Sequence, residues 1–249
     1  MLSDQEKKGV LSFIGYGSPS APLWFIGAEE GLGGKMLDDE VQQNLSARSH
    51  WDEFMDLRGA HLTLTENGRP IDVGVKQRGR GSQTVWLWMS RIARAYQGDH
   101  NDWCDREKAR TFMQNWLGRA GAKFVDVPTP KPVETFLTEL SPVPEKKTGS
   151  PRWVAQFATE DCHALVATRT TRIQDLLRLN RPSVVICYGK RREAEFARLL
   201  GVDDWIEVAK GVCKAPSKNV FLLPFFGNGQ IYEALVQGLV SYPSFHKGR

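Results

Sequence analysis

The sequence predicts an α/β fold, a three-layer α/β/α sandwich around a central, mostly parallel four-stranded sheet. Two observations predict it: apolar segments of strand length recur along the chain, and stretches with helical periodicity separate them. The chain has 249 residues, of which 41% are hydrophobic and 25% charged, enough for a sizeable core. The proline-containing segments at 128–132 and 142–151 are interpreted as loops, so we expect one domain over residues 1–249.

The four predicted strands are apolar along most of their length, which is typical of strands buried on both faces of a parallel sheet. In chain order they are Pro22–Gly27, Glu134–Leu140, Ser183–Gly189 and Asn219–Pro224. A further short strand is predicted at Lys123–Val127.

The predicted helices have apolar residues that recur at helical spacing. They are Asp39–Leu57, Val85–Tyr96, Arg106–Ala120, a segment after Thr171, Arg192–Leu200 and Ile231–Val240. Because strands and helices alternate, we expect right-handed connections and helices on both faces of the sheet. In such sheets ligands gather at the carboxyl ends of the strands.

The composition excludes several classes of protein. No apolar segment is long enough to span a bilayer, and the N-terminus lacks the apolar part of a signal peptide, so we expect a cytoplasmic protein. No two cysteines stand at CxxC spacing and no two histidines form an HxxxH pair, which gives a metal site little support. We expect the four thiols to be free and mostly buried.

The charge permits nucleic-acid binding without requiring it. The net charge is +4 and the isoelectric point is near 8.9. Two short basic clusters provide candidate DNA contacts, Arg78 and Arg80 in the first and Lys190 and Arg191 in the second. Short runs of this kind are more often solvated loops or helix starts, and that alternative stays open.

Polar or glycine-rich segments follow three of the predicted strands. The first strand continues into Gly27-Ala28-Glu29-Glu30-Gly31, a turn that matches neither the dinucleotide-binding nor the P-loop pattern. Adjacent glutamates would repel a phosphate and are better suited to position a water or to stabilise a developing cation. The alternative is that one glutamate caps a helix and the other faces solvent.

Taken together, the strand ends resemble those of the uracil-DNA glycosylase superfamily, as a divergent member, over about Pro22 to Val240. The resemblance rests on four features in order: Phe25-Ile26-Gly27 before an acidic, glycine-containing turn, a polar strand end shortly before Pro142, Tyr188-Gly189-Lys190, and Val220–Pro224 before the position of the family's His-Pro-Ser motif. It implies a DNA glycosylase that cleaves the N-glycosidic bond of an extruded base.

The resemblance implies that Glu29 is the acid that positions water and stabilises the sugar cation. Bond cleavage builds positive charge on the deoxyribose, and a fixed carboxylate lowers the barrier electrostatically. Glu29 stands two residues after Gly27, where most branches have Asp or Asn. Glu30 is the second candidate, and it replaces a proline that is common in the family.

Glu139 stands where the uracil-reading members carry Asn. The Asn amide can accept from uracil N3–H and donate to O4, whereas a carboxylate offers acceptors only. A carboxylate suits the amino group of cytosine N4. We therefore expect a cytosine-type base, or a hydroxymethylated or glucosylated one, rather than uracil. Two alternatives stay open: a protonated Glu139 could also donate to N3 and read both positions, or Glu139 pairs with a nearby Lys or Arg.

The His-Pro-Ser motif of the family is replaced by Phe225-Phe226-Gly227-Asn228. Asn228 is the candidate donor to the departing base in place of the missing imidazole. Phe225 and Phe226 could stack on a flipped base or wedge into the duplex, and we expect one of the two to be core. The cysteine spacing differs from that of the iron–sulfur branches, so we expect no cofactor and no metal cluster.

The resulting hypothesis is a monofunctional, monomeric glycosylase that binds DNA and uses activated water, with a role against modified phage DNA as one speculation. No lysine is placed convincingly as a Schiff-base nucleophile. Two alternatives stay open: a catalytically silent DNA-binding module, favoured by the missing histidine, and a nucleoside hydrolase for which the basic clusters are irrelevant.

Overall fold

The chain forms an α/β structure with one large mixed sheet. A computed structural model describes residues 2–28, 38–73, 84–99, 101–120, 131–141, 159–227 and 229–246. Within these ranges the main sheet has eight strands that run in both directions. The predicted α/β class is confirmed, but the prediction of a four-stranded sheet is wrong.

The helices and strands alternate along much of the chain. The helices are α1 Asp4–Ser12, α2 Asp38–Arg48, α3 Leu57–Leu62, α4 Thr84–Gln97, α5 Arg106–Asn115, α6 Thr159–Asn180, α7 Glu193–Leu200 and α8 Glu233–Val240. The strands are β1 Gly15–Gly17, β2 Leu23–Gly27, β3 Phe54–Met55, β4 Thr65–Glu66, β5 Arg69–Pro70, β6 Thr135–Glu139, β7 Val184–Tyr188, β8 Ile206–Ala209, β9 Val212–Lys214 and β10 Val220–Leu223.

The four predicted strands form the centre of the sheet. The strand order is β3-β1-β6-β2-β7-β10-β9-β8, and the neighbours from β6 to β10 run parallel. Outside this centre, β1 is antiparallel to β6, and β9 is antiparallel to both β10 and β8. The β4–β5 pair forms a separate two-stranded hairpin. All four central strands therefore end at the same edge of the sheet.

Helices cover both faces of the sheet, because alternate side chains of each central strand enter different core clusters. In β2, Leu23 and Phe25 pack with α4, α5 and α8, whereas Trp24 and Ile26 pack with α6 and α7. All four of these side chains are fully buried. A strand of this kind has no solvent face, which explains its continuous apolar sequence.

Two predicted helices end earlier than expected. The predicted Asp39–Leu57 helix ends at Arg48, where the main-chain N–H of His50 bonds to the carbonyl of Ala47 in a tight turn. The chain then pairs in parallel with β1 as β3. The predicted Arg106–Ala120 helix ends at Asn115, shortly before Gly118 with its φ of +61°.

The outer strands are the part of the fold that the sequence prediction missed. β1 is Gly-Tyr-Gly, β3 has two residues, and β8 and β9 form a short hairpin with a bulge. None of them carries a long apolar run. The predicted strand Lys123–Val127 lies outside the described residues. In the described part of the chain, no helix combines the length and apolarity needed to cross a bilayer.

Candidate active site

The carboxyl ends of the central strands bring four residues into one row. Gly27 of β2 is in register with Glu139 of β6 on one side and with Tyr188 of β7 on the other. Tyr188 is in turn in register with Leu223 of β10. The main chain stays paired beyond the strands, since the N–H of Leu140 donates to the carbonyl of Gly27 at 2.9 Å. The row is therefore a fixed part of the sheet.

A side-chain hydrogen bond spans this row. The hydroxyl of Tyr188 donates to Oε1 of Glu139, so the two side chains meet above Gly27. A Cβ at position 27 would overlap both the carboxylate and the hydroxyl. Glycine at position 27 leaves room for both groups, and the missing side chain allows the carboxylate to lie over the middle of the sheet.

The main chain around Glu139 is held by a buried arginine on α6. Arg169 donates from Nε to the carbonyl of Glu139 at 2.8 Å, and its two terminal nitrogens donate to the carbonyls of Phe13 at 2.6 Å and Ile14 at 2.8 Å. Burial lowers the pKa of Arg169 to about 10, while the nearby charge of Glu139 opposes this shift. Arg169 therefore remains a cation at neutral pH and fixes the end of β6.

A small cavity lies beside Glu139 on the side of β1. Its volume is about 20 Å³, and Arg48, Trp86, Ser141 and Arg169 are among its lining residues. A cavity of this size holds about one water molecule. A nucleobase cannot enter it, so any base that contacts Glu139 must approach from the carboxyl edge of the sheet.

The two phenylalanines after β10 have different environments. Phe226 is fully buried and stacks under Tyr188, with ring centroids 4.6 Å apart and planes at 16°. Phe225 is half-buried, and its ring centroid lies 6.4 Å from that of Tyr188. The expected core residue of the pair is therefore Phe226. Phe225 remains the candidate for stacking on a base.

The basic turn after β7 lies at the same edge. Gly189 has a φ of +107°, and Lys190–Arg192 form a single 3₁₀ turn that leads into α7. Arg191 is exposed and forms no ion pair with any residue in the described ranges. Lys190 Nζ donates to Sγ of Cys213 at 3.2 Å, and this hydrogen bond raises the pKa of Lys190. Both cations follow Tyr188 closely in the chain, so the basic turn begins at the end of the row.

Five predicted site residues lie outside the described residues, namely Glu29, Glu30, Arg78, Arg80 and Asn228. Of the remaining five, Glu139, Phe225, Phe226, Lys190 and Arg191 all lie at or next to the carboxyl ends of β6, β7 and β10. Among the described side chains, no group of three or more His, Cys, Asp or Glu residues could hold a metal ion.

Two residues that shape this site, Tyr188 and Arg169, are not predicted from the sequence. The Tyr188-Gly189-Lys190 strand end contributes to the resemblance, but no site role is predicted for Tyr188, although it has the only hydroxyl among the side chains of Val184-Val185-Ile186-Cys187-Tyr188. Arg169 precedes the point at which the helix was recognised, because α6 begins at Thr159 rather than after Thr171. A polar atom at the end of a buried strand was the available signal for Tyr188.

Comparison with known proteins does not assign this chain to a family. No protein-family model matches the chain. No curated protein matches it significantly. Any function therefore has to be argued from the arrangement at the carboxyl edge of the sheet.

Proposed function

We propose that this protein is a DNA glycosylase of the uracil-DNA glycosylase type that hydrolyses the N-glycosidic bond of a flipped-out cytosine-type base. The modified forms of that base, hydroxymethylated or glucosylated, are included, and uracil is not the preferred substrate. The observation that carries the proposal is the carboxylate of Glu139, which the hydroxyl of Tyr188 holds at the carboxyl edge of four parallel strands.

The fold supports the proposal. The four strands that carry the resemblance are neighbours, are parallel and end together, although four further strands extend the sheet. Helices pack on both of its faces. Ligands of open α/β sheets bind at this edge, and Glu139 of β6 is in direct register with Gly27, two residues before the proposed acid Glu29.

Hydrogen bonding at Glu139 favours an amino-bearing base. An ionised carboxylate only accepts, and Tyr188 already donates to Oε1. The amino group at cytosine N4 can donate to the same carboxylate, whereas O4 of uracil would face it acceptor to acceptor. Glu139 thus discriminates between the two bases, and the bond from Tyr188 keeps the carboxylate in one orientation.

Two further groups suit an extruded nucleotide. The half-buried ring of Phe225 lies next to Tyr188 and provides a face for stacking. Arg191 in the turn after β7 is exposed and can contact a phosphate of the DNA backbone. Their positions favour a nucleotide that enters from the carboxyl edge of the sheet.

In the proposed reaction, Glu29 and Glu139 have different roles. As the C–N bond breaks, the sugar gains positive charge and the base leaves with the electron pair. Glu29 stabilises the cation and directs a water to the sugar carbon, and Glu139 holds the base. Asn228 donates to the departing base. The products are a free base and an abasic site.

A substrate panel tests the proposal. The protein is incubated with matched oligonucleotides that contain uracil, cytosine, 5-hydroxymethylcytosine or its glucosylated form, and alkali-labile abasic sites are measured. We expect cleavage of at least one cytosine-type base and a slower reaction with uracil.

Preferred cleavage of uracil would contradict the role of Glu139. Retention of DNA without abasic sites on any substrate would favour the silent DNA-binding module instead. Cleavage of free nucleosides without DNA binding would favour the nucleoside hydrolase.

A further inference from the structure

A lysine and a cysteine are in direct contact next to the candidate site. Nζ of Lys190 lies 3.2 Å from Sγ of Cys213 and donates a hydrogen bond to it. Cys213 belongs to β9 and is 4% exposed, whereas Lys190 belongs to the exposed turn after β7. The lysine side chain therefore spans from the turn beside the site to a strand two positions away in the sheet.

Of the cysteines whose side chains the structure describes, neither Cys187 nor Cys104 is placed to form a disulfide with Cys213. Cys187 and Cys213 are both in register with Leu222, which lies between them in β10. Their strands are thus two spacings apart, roughly 9.6 Å, and a disulfide needs Cα atoms within about 7 Å. Cys104 packs against the core cluster on the opposite face of the sheet. The amine of Lys190 is the nucleophile in contact with this thiol.

We propose that Lys190 and Cys213 form a reversible sulfenamide cross-link when hydrogen peroxide oxidises the thiol. Peroxide first transfers an oxygen atom to sulfur, which gives a sulfenic acid and one water. The lone pair of the lysine amine then attacks sulfur and forms the S–N bond. The S–O bond breaks, the leaving hydroxide takes a proton from nitrogen, and a second water is released. Sulfur loses two electrons, and peroxide gains them.

The cross-link would act on the candidate site through Lys190. The bond converts a charged ammonium into a neutral nitrogen and ties the turn after Tyr188 to β9. The bond closes a loop between two residues 23 positions apart, and this loop includes α7 and β8. If the proposed function holds, loss of this cation weakens DNA binding and reduces its salt dependence by about one counterion.

Mass spectrometry tests the cross-link independently of any activity. The full-length protein is treated with limited hydrogen peroxide, and its intact mass and tryptic peptides are measured with and without dithiothreitol. We expect a mass lower by two hydrogens, a joined peptide that contains Lys190 and Cys213, and reversal by the reductant. Lys190→Arg and Cys213→Ser should lose this species. Lys210→Arg, which alters an exposed lysine close to β9, should retain it.

Two outcomes would overturn the proposal. The first is an oxygen adduct in the wild-type protein without a joined peptide. The second is the same loss of two hydrogens in Lys190→Arg, because that result would require a different pair of groups. Circular dichroism of each variant confirms that its fold is intact. A cross-link that forms without effect on DNA binding would leave the chemistry supported and would count against the proposed function.

Discussion

The two edges of the central sheet use their polar side chains in different ways. At the edge where β10 begins, the amide of Asn219 and the amine of Lys218 donate to main-chain carbonyls: Nδ2 of Asn219 donates to the carbonyl of Ser183 at 2.7 Å, and Nζ of Lys218 donates to that of Gly201 at 2.9 Å. At the edge where β6 and β7 end, the side chains of Glu139 and Tyr188 bond to each other.

Asn219 and Lys218 therefore have structural roles, whereas Glu139 and Tyr188 are candidate functional groups. Side chains that bond to carbonyls satisfy turns and helix ends, and the backbone needs such partners. The bond between Glu139 and Tyr188 joins two side chains instead. It passes over Gly27, where a Cβ would overlap both groups. We therefore expect substitutions at the first edge to change stability and substitutions at the second edge to change activity.

The largest effect is expected at the proposed acid. Glu29→Gln removes the negative charge that stabilises the sugar cation, and cleavage should fall by about 10² to 10³-fold with little change in DNA affinity. Single-turnover cleavage and DNA retention are measured side by side. Glu30→Gln is the matched control. If the loss occurs in that variant and not in Glu29→Gln, the acid is misassigned.

A smaller loss is expected when Glu139 is replaced by the isosteric amide. Glu139→Gln introduces a donor, so cleavage of the cytosine-type base should fall by about 10- to 100-fold, and the relative rate for uracil should rise. The ratio of the two rates is the measurement. Glu134→Gln is the control and should keep the wild-type ratio, because Glu134 lies just before the opposite end of β6, in an ion pair with Lys131. An unchanged ratio in Glu139→Gln would show that Glu139 is structural.

Tyr188→Phe removes only the hydroxyl that holds Glu139. The ring keeps its stacking on Phe226, so the fold should persist, but loss of one hydrogen bond to a charged group should reduce cleavage by about tenfold. Rates and the base preference are compared with those of Tyr242→Phe, a tyrosine that packs against Phe221. Wild-type rates in Tyr188→Phe would contradict the positioning of Glu139 by this hydroxyl.

The smallest effect is expected at the opposite edge. Lys218→Met removes the donor to the carbonyls of Leu200 and Gly201 at the end of α7, and the free energy of unfolding should fall by about 1 kcal/mol. Urea denaturation measures this change. Cleavage should stay at the wild-type rate. A loss of activity with unchanged stability would refute the division between the two edges.

The sequence was most informative where burial acts on both faces of a strand. Each predicted central strand matches an observed one within one residue at either end, because a strand without a solvent face must be apolar throughout. The predicted end of the second strand also placed Glu139 at the carboxyl edge, where the structure has it. In these segments, the apolar sequence pattern and the buried position in the fold agree.

The sequence was least informative where tertiary contacts determine the structure. β3 has two half-buried residues, Phe54 and Met55, and its apolar spacing also suits a helix, so only pairing with β1 makes it a strand. The bond between Tyr188 and Glu139 joins residues 49 positions apart, and no local pattern encodes it. Sequence periodicity reports burial, and it does not report which polar groups meet across strands.

The contacts of Arg169 have a consequence for the order in which the site can form. This side chain bonds to carbonyls 156, 155 and 30 residues earlier in the chain, at Phe13, Ile14 and Glu139. During synthesis, all three carbonyls therefore precede their common partner, the first two by 156 and 155 residues and that of Glu139 by 30. The end of β6 reaches its final arrangement only after α6 docks, and a chain that ends before residue 169 would contain Glu139 without the group that fixes it.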